Sequence, residues 1–225
     1  MANITEIYEL AKKLNLQNLA RGAIDLQNEK LSNIDYLHMV LQSEVDMRTE
    51  VAVAKREKAS RLPNKVFDKT KVSDGLIWHI EQLERMLWFE ESQNLIFIGK
   101  CDKGKTALAT YLAKQVLKND KVYYCTIDEF LYILRNKDKR EKQQRIYKYI
   151  VDCGLIILDD MMYAPIPPED LPMLYRAITF LNETRSFIVI TSREMSGWTD
   201  AAEDTHLMQT IVDRLTSNSQ ILRFL

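Results

Sequence analysis

The sequence predicts an α/β protein, a three-layer core with a parallel sheet between helices, preceded by a small helical domain. Three observations carry this. From residue 94 onward, short Ile- and Val-rich runs alternate with amphipathic stretches, the texture of strands buried on both faces. Before residue 93, apolar residues instead recur at helical spacing. Between the first apolar run and the amphipathic stretch after it stands a glycine-containing turn, Gly99 to Thr106, in a chain with only 6 glycines. A length of 225 residues, 46% apolar and 28% charged, suits one main domain with an appendage and excludes a disordered or collagen-like chain.

In chain order, Ile7, Leu10, Ala11 and Leu14 mark a first amphipathic helix. Tyr36, Leu37, Val40, Leu41, Val45 and Val51 mark a long one from about Asp35 to Arg61, stopped before Pro63. A further helix is expected around Gly75 to Phe89. Strands follow at Leu95 to Ile98, Lys121 to Cys125, Leu155 to Leu158, Phe187 to Thr191 and Gln220 to Leu225, with helices between them. Four of the 5 prolines fall in Pro165 to Pro172, a loop opening the helix after the third strand. The expected division is a helical domain over residues 1–70 and the α/β domain over 71–225.

Several classes are disfavoured. No apolar run approaches the roughly 18 residues a membrane span needs, and Glu6 and Glu9 sit where a signal peptide would be basic and then apolar, so a cytoplasmic protein without membrane contact is expected. Cys101, Cys125 and Cys153 lack CxxC pairing and read as reduced thiols. His38, His79 and His206 lack ligand-like spacing. Net charge is −1, so attraction to nucleic acid must come from local patches.

The sharpest motif is Gly99-Lys100-Cys101-Asp102-Lys103-Gly104-Lys105-Thr106, which fits GxxxxGKT between a strand and the helical pattern Ala107 to Leu117. Such strings also occur as plain strand-to-helix turns, and the flanking strand and helix separate the two readings. Glycines let the backbone turn its amides inward, and the helix adds its positive end, so Gly99 through Ala107 are candidate residues for cradling a polyphosphate. Lys105 reaches the outer phosphates in this reading, and Thr106 completes a magnesium shell. Asp102 places a negative charge in the same loop, partly offset by Lys100 and Lys103, and predicts weakened nucleotide binding. The second motif is Leu155-Ile156-Ile157-Leu158-Asp159-Asp160, a buried strand ending in two carboxylates where ligands sit in open α/β sheets. Asp159 is placed to hold magnesium through water, and Asp160 to orient or deprotonate the attacking water.

With these motifs the chain resembles the IstB-like transposition helper ATPases, relatives of the DnaC and DnaI helicase loaders in the AAA+ class of P-loop NTPases. The likeness extends to Tyr163-Ala164-Pro165, Thr191-Ser192-Arg193, Trp198 and Asp213-Arg214-Leu215, and in the helical region to Tyr36-Leu37, Glu44, Arg48, Arg56 and Pro63. The resemblance implies slow ATP hydrolysis, stimulated by DNA and by head-to-tail assembly of copies. Arg214 then acts as an arginine finger in the neighbour's site, although by itself it reads as an ordinary helix-surface residue. Thr191 or Ser192 polarises the attacking water. Departures are Asp102 in place of a glycine, Arg193 in place of a sensor asparagine, and no terminal Gly-x-Ser-Tyr-Arg through Leu225, so no terminal arginine sensor is assigned.

Two basic stretches stand out, residues 48–71 and 135–148, each with a local excess of five positive charges. Such runs are usually solvated helix faces. Candidate contacts to DNA phosphates are Arg135, Lys137, Lys139, Arg140, Lys142 and Arg145, with Arg56 and Lys58 from the first stretch. The expected partners are duplex DNA bound with little sequence preference, a transposase and further copies of the chain. The alternatives are a helicase loader serving a replicative helicase and a non-hydrolysing, nucleotide-dependent scaffold.

Overall fold

A computed structural model describes residues 4–24, 32–72, 74–200, 202 and 204–224. The chain divides into two compact units, Met1–Lys55 and Arg56–Leu225. The first holds helices α1 (Ile4–Lys13) and α2 (Gln17–Ala20) and most of α3 (Asn33–Ser60). Its small core gathers Ala11, Leu19, Ile24 and Val40. Glu44, one helical turn beyond Val40, is buried too, and its carboxylate accepts the Gln17 and Asn18 amides at 3.0 Å each, capping α2. Arg48 donates to the same carboxylate at 3.2 Å. Burial opposes the charge, but the two amides and Arg48 outweigh it and hold Glu44 below the ordinary carboxylate range. Of the apolar residues expected to mark one face of α3, Leu37, Leu41, Val45 and Val51 are each at least half exposed, and only Tyr36 and Val40 turn to the core. The buried face is the adjacent one, through Val40 and Glu44, with Tyr36 partly buried beside it.

In the second unit, α3 ends on Arg61 at φ +59°, a left-handed helix stop, followed by Pro63. The helix expected over Gly75 to Phe89 is two helices, α4 (Asp74–Glu84) and α5 (Leu87–Glu90). Met86 at φ +62° breaks it, and the Trp88 indole donates to the Leu83 carbonyl across the break. Thereafter strands and helices alternate as expected: β1 (Asn94–Gly99), α6 (Lys105–Val116), β2 (Val122–Thr126), α7 (Ile127–Asn136), α8 (Glu141–Val151), β3 (Leu155–Asp159), α9 (Leu171–Asn182), β4 (Ser186–Thr191), α10 (Ser196–Asp200), α11 (Thr205–Thr216) and β5 (Ser219–Phe224).

The five strands pair in the order β2-β3-β4-β1-β5, all in parallel. Alternation along them splits the core into two layers. Ile96, Ile98, Ile156, Leu158, Phe187 and Val189 pack under α7, α9 and α11, while Leu95, Phe97, Leu155, Ile157, Ile188 and Ile190 pack under α4 and α6. This is a three-layer α/β arrangement, with the parallel sheet between two layers of helices. Because every strand runs the same way, the loops after β1, β3 and β4 meet at one edge of the sheet. Cys125 and Cys153 are buried free thiols, and burial pushes Cys153 up to about 12. Among the described residues no helix is long and apolar enough to cross a membrane.

Candidate functional site

At that edge the backbone of the glycine motif is set by two different demands. Gly99 lies at φ +155°, and a Cβ there would stand 2.4 Å from the Phe224 carbonyl oxygen, so close approach of β5 requires glycine. Gly104, at φ +86°, has open space around it and is required by conformation alone, as the residue from which α6 starts. Asp102 also adopts a left-handed conformation, φ +61°, where glycine is the easier residue.

Lys105 is buried, and its ammonium donates to the Gly99 and Lys100 carbonyls at 2.6 Å each. Burial draws it below the ordinary lysine range, opposed by neighbouring negative groups including Asp159 and Asp160. Thr106, one residue into α6, donates its hydroxyl to Asp159 Oδ2 at 2.9 Å. The other oxygen of Asp159 accepts the Asp160 amide at 2.8 Å. Asp160 sits at φ +57°, just past the strand, with its carboxyl raised by burial and then by the adjacent Asp159 charge.

These groups line one cleft of about 460 Å³ with Cys101, Asp102, Lys103, Gly104, Ala107, Thr191 and Ser192. Gly99 and Lys100 stand behind it, supplying the carbonyls that hold Lys105. The Thr191 hydroxyl is engaged with its own loop, accepting the Arg193 amide at 3.1 Å, which leaves Ser192 as the exposed hydroxyl of the pair. The motif residues therefore converge as the spacing predicts. Sequence reasoning missed Tyr124 and Lys65, which also line the cleft. It missed as well a neighbouring hollow of about 380 Å³ in which Val66, Phe67, Val72, Leu76 and Phe224 face Asp102, Lys103, Gly104 and Ala107. No motif announces these residues, because strand register and the path of the segment before α4 bring them there.

The oxygen-only set of Thr106, Asp159 and Asp160 suits magnesium, a hard cation that keeps several waters and takes few protein ligands beside phosphate. Among the described residues no group of three or more His, Cys, Asp or Glu gathers elsewhere to offer a metal site.

Arg214 is not in this cleft. It is exposed in the last turn of α11, where its carbonyl accepts the Asn182 side chain at 2.9 Å. Asn182 in turn bonds Asn94 at the start of β1. Arg214 thus lies at the opposite end of the sheet from the phosphate loop, about 17 Å away by strand length.

The basic candidates divide. Arg135 forms a two-pronged pair with Asp170, which is 2% exposed, because a carboxylate so buried needs a cation. Arg56 donates to the Leu117 and Lys118 carbonyls at 2.9 and 2.8 Å, satisfying groups left over at the end of α6. Both are committed to the fold. Lys137 lies over the Tyr147 ring at 4.2 Å, and Arg140 donates to the Tyr132 hydroxyl at 2.7 Å. Arg145 pairs with Glu141 on the open face of α8, and Lys58, Lys139 and Lys142 are exposed. Lys142 and Arg145 border a larger cleft of about 750 Å³, floored by Tyr123, Ile133, Ile146 and Tyr149, which contains none of the phosphate-loop residues.

Comparison with known proteins agrees with this geometry. The family profile of the IstB-like ATP binding protein matches residues 9–224. A predicted ATP-binding protein of an IS21-like insertion sequence from Bacteroides fragilis is 27% identical over 229 residues, covering 97% of this chain and 86% of the relative. Its counterpart in insertion sequence IS21 of Pseudomonas aeruginosa is 25% identical over 226 residues, covering 96% and 85%. Among solved structures, the DnaC helicase loader superposes with a TM-score of 0.57 at 20% identity over 74% of this chain and 97% of that one. AMPPCP-bound DnaA from Aquifex aeolicus superposes at 0.54, with 16% identity over 68% and 47%. Glycine loop, acidic strand end and helical prefix occur here in one continuous match, and the chain belongs to the IstB-like ATP-binding protein family.

Proposed function

We propose that this chain is an ATP-hydrolysing helper of transposition that assembles head to tail on duplex DNA and recruits or stimulates a transposase. The observation that carries the reading is the joining, in one cleft, of the loop amides, Lys105, Thr106, Asp159 and Asp160, while Arg214 stands at the far end of the same sheet. In this reading the loop amides and the start of α6 hold the phosphates, and Lys105 turns from the Gly99 and Lys100 carbonyls to the outer phosphates. Thr106 and Asp159 would hold magnesium, which when bound neutralises phosphate charge. Asp160 accepts the proton of the attacking water, with Ser192 orienting that water. The hollow beside the loop, with Val66, Phe67 and Val72 on one side, accommodates the base. The cleft, which has no arginine among its described lining residues, is completed in this reading by Arg214 of a second copy, a contribution worth about 10³ to 10⁵ in rate. Membership in a family known from insertion sequences supports the transposase as partner and a cytoplasmic setting.

DNA contact falls to Lys58, Lys137, Lys139, Arg140, Lys142 and Arg145, with Arg135 and Arg56 holding the fold beneath. Contacts of this kind go to phosphates and weaken steeply with salt. Phosphate release with and without duplex DNA tests the reading. The parent should turn over faster with DNA, and Lys105→Ala and Asp160→Asn should abolish turnover. Turnover that survives both substitutions overturns the assignment of the cleft. A helicase-loader reading draws on the likeness to the DnaC fold, and preference for single strands over duplex would favour it. The scaffold reading draws on Asp102 in the loop, and nucleotide-dependent assembly without any turnover would favour that one.

A further inference from the structure

We infer that Tyr124 is a positioning residue for Asp159, holding its carboxylate in the orientation in which it serves the metal of the bound nucleotide. The inference rests on the proposed reading of the cleft. Tyr124 belongs to β2 and pairs in register with Ile157 of β3. Asp159 lies two residues further along β3 on the same face, about 6.6 Å toward the phosphate-loop edge. A shorter hydroxyl side chain at position 124 would stop short of that distance. The tyrosine ring, packed against the core layer under α6, leans along the strand and places its hydroxyl 2.7 Å from Asp159 Oδ2.

That oxygen receives two hydroxyls, Tyr124 at 2.7 Å and Thr106 at 2.9 Å, while Oδ1 receives the Asp160 amide. The two hydroxyls differ in what else they are asked to do. Thr106 stands in the phosphate cradle and is the group that would help hold a magnesium ion. Tyr124 stays with the sheet, and with the Asp160 amide it keeps the plane of the carboxylate fixed when Thr106 is engaged elsewhere. Partners that orient a directly ligating group typically account for about 10-fold to 100-fold in metal affinity, and because Asp159 acts through water the lower end applies here.

The test is binding of a fluorescent, non-hydrolysable ATP analogue titrated with Mg²⁺, and separately in EDTA, for the parent, Tyr124→Phe, Asp159→Asn and the double variant. Tyr124→Phe should raise the Mg²⁺ concentration at half-effect about tenfold, leave binding in EDTA within twofold and leave the melting temperature unchanged. In the Asp159→Asn background the same substitution should move the midpoint less than twofold, because the group it positions is gone. A midpoint within twofold of the parent's, or an equal shift in both backgrounds, overturns the inference and leaves the reading of the cleft standing. A lowered melting temperature with an unmoved midpoint assigns Tyr124 a purely structural role and likewise overturns it. A parent that binds no nucleotide with Mg²⁺ overturns both.

Discussion

Asp102 is the residue at which the phosphate loop works against itself, and replacing it separates two effects. Its side chain is exposed at the cleft, and its backbone is left-handed at φ +61°. At about 6 Å from one phosphate charge, repulsion amounts to about 3 kcal/mol at an effective dielectric of 20 and about 0.7 kcal/mol in bulk water. Exposure and salt place the value near the lower limit, so about 1 kcal/mol and about fivefold in affinity are expected. Asp102→Asn removes the charge and keeps a side chain that tolerates the left-handed region. Asp102→Gly removes the charge and relieves the backbone, worth up to about 1 kcal/mol in folding. Calorimetric titration with ATP should therefore find both variants about fivefold tighter than the parent, by similar amounts, with the gap narrowing as salt rises. Thermal melts should find only the glycine variant stabilised. Unchanged or looser binding in both variants would refute the electrostatic reasoning, and a gain in the glycine variant alone would assign the effect to the backbone.

Other outcomes follow from the packing. Gly99→Ala places a methyl against the Phe224 carbonyl and should cost about 2 kcal/mol in urea unfolding, more than Gly104→Ala, which meets only the backbone penalty of about 1 kcal/mol. Equal costs would contradict the close-approach argument. Arg135→Ala strands the buried Asp170 carboxylate and should cost about 2 kcal/mol, less than a fully buried pair because the guanidinium is half exposed. An unchanged melting temperature would return Arg135 to the DNA-contact candidates. Glu44 is held below its ordinary value of 4.5, so its contribution is fully present above that value and is lost as pH falls through the lower folded value. Hydrogen-exchange protection of the Gln17 and Asn18 amides should accordingly fall on acidification in the parent and be low and pH-independent in Glu44→Gln.

The central strands β1, β3 and β4 were legible because they are buried on both faces and read as nearly uninterrupted apolar runs, whereas the edge strand β5 is largely exposed and its expected end at Leu225 lies outside the described residues. The phosphate loop was legible because chemistry restricts residue types at fixed spacing. What stayed hidden depended on geometry between elements. Nothing local marks Met86 as a helix break, since its left-handed conformation is imposed by Trp88 folding back on Leu83. On α3 two neighbouring stripes are both largely apolar, and the buried one is chosen by the capping demand of α2 on Glu44 rather than by hydrophobicity. Charge counting flagged Arg135 and Arg56 together with the solvated lysines, because a count does not register Asp170 or the end of α6. No motif marks Tyr124, and only the pairing of β2 with β3 places its hydroxyl on Asp159.

The central claim is that the hydrolytic site is shared between copies, with Lys105 and Asp160 from one and Arg214 from the next. Mixing two inactive variants tests it most directly: Lys105→Ala retains Arg214, and Arg214→Ala retains the phosphate cleft. The account predicts that each alone has at most about a thousandth of the parent's DNA-stimulated turnover and that the mixture recovers a substantial fraction of it. A mixture no more active than its components, under conditions where the copies assemble on DNA, would contradict the account.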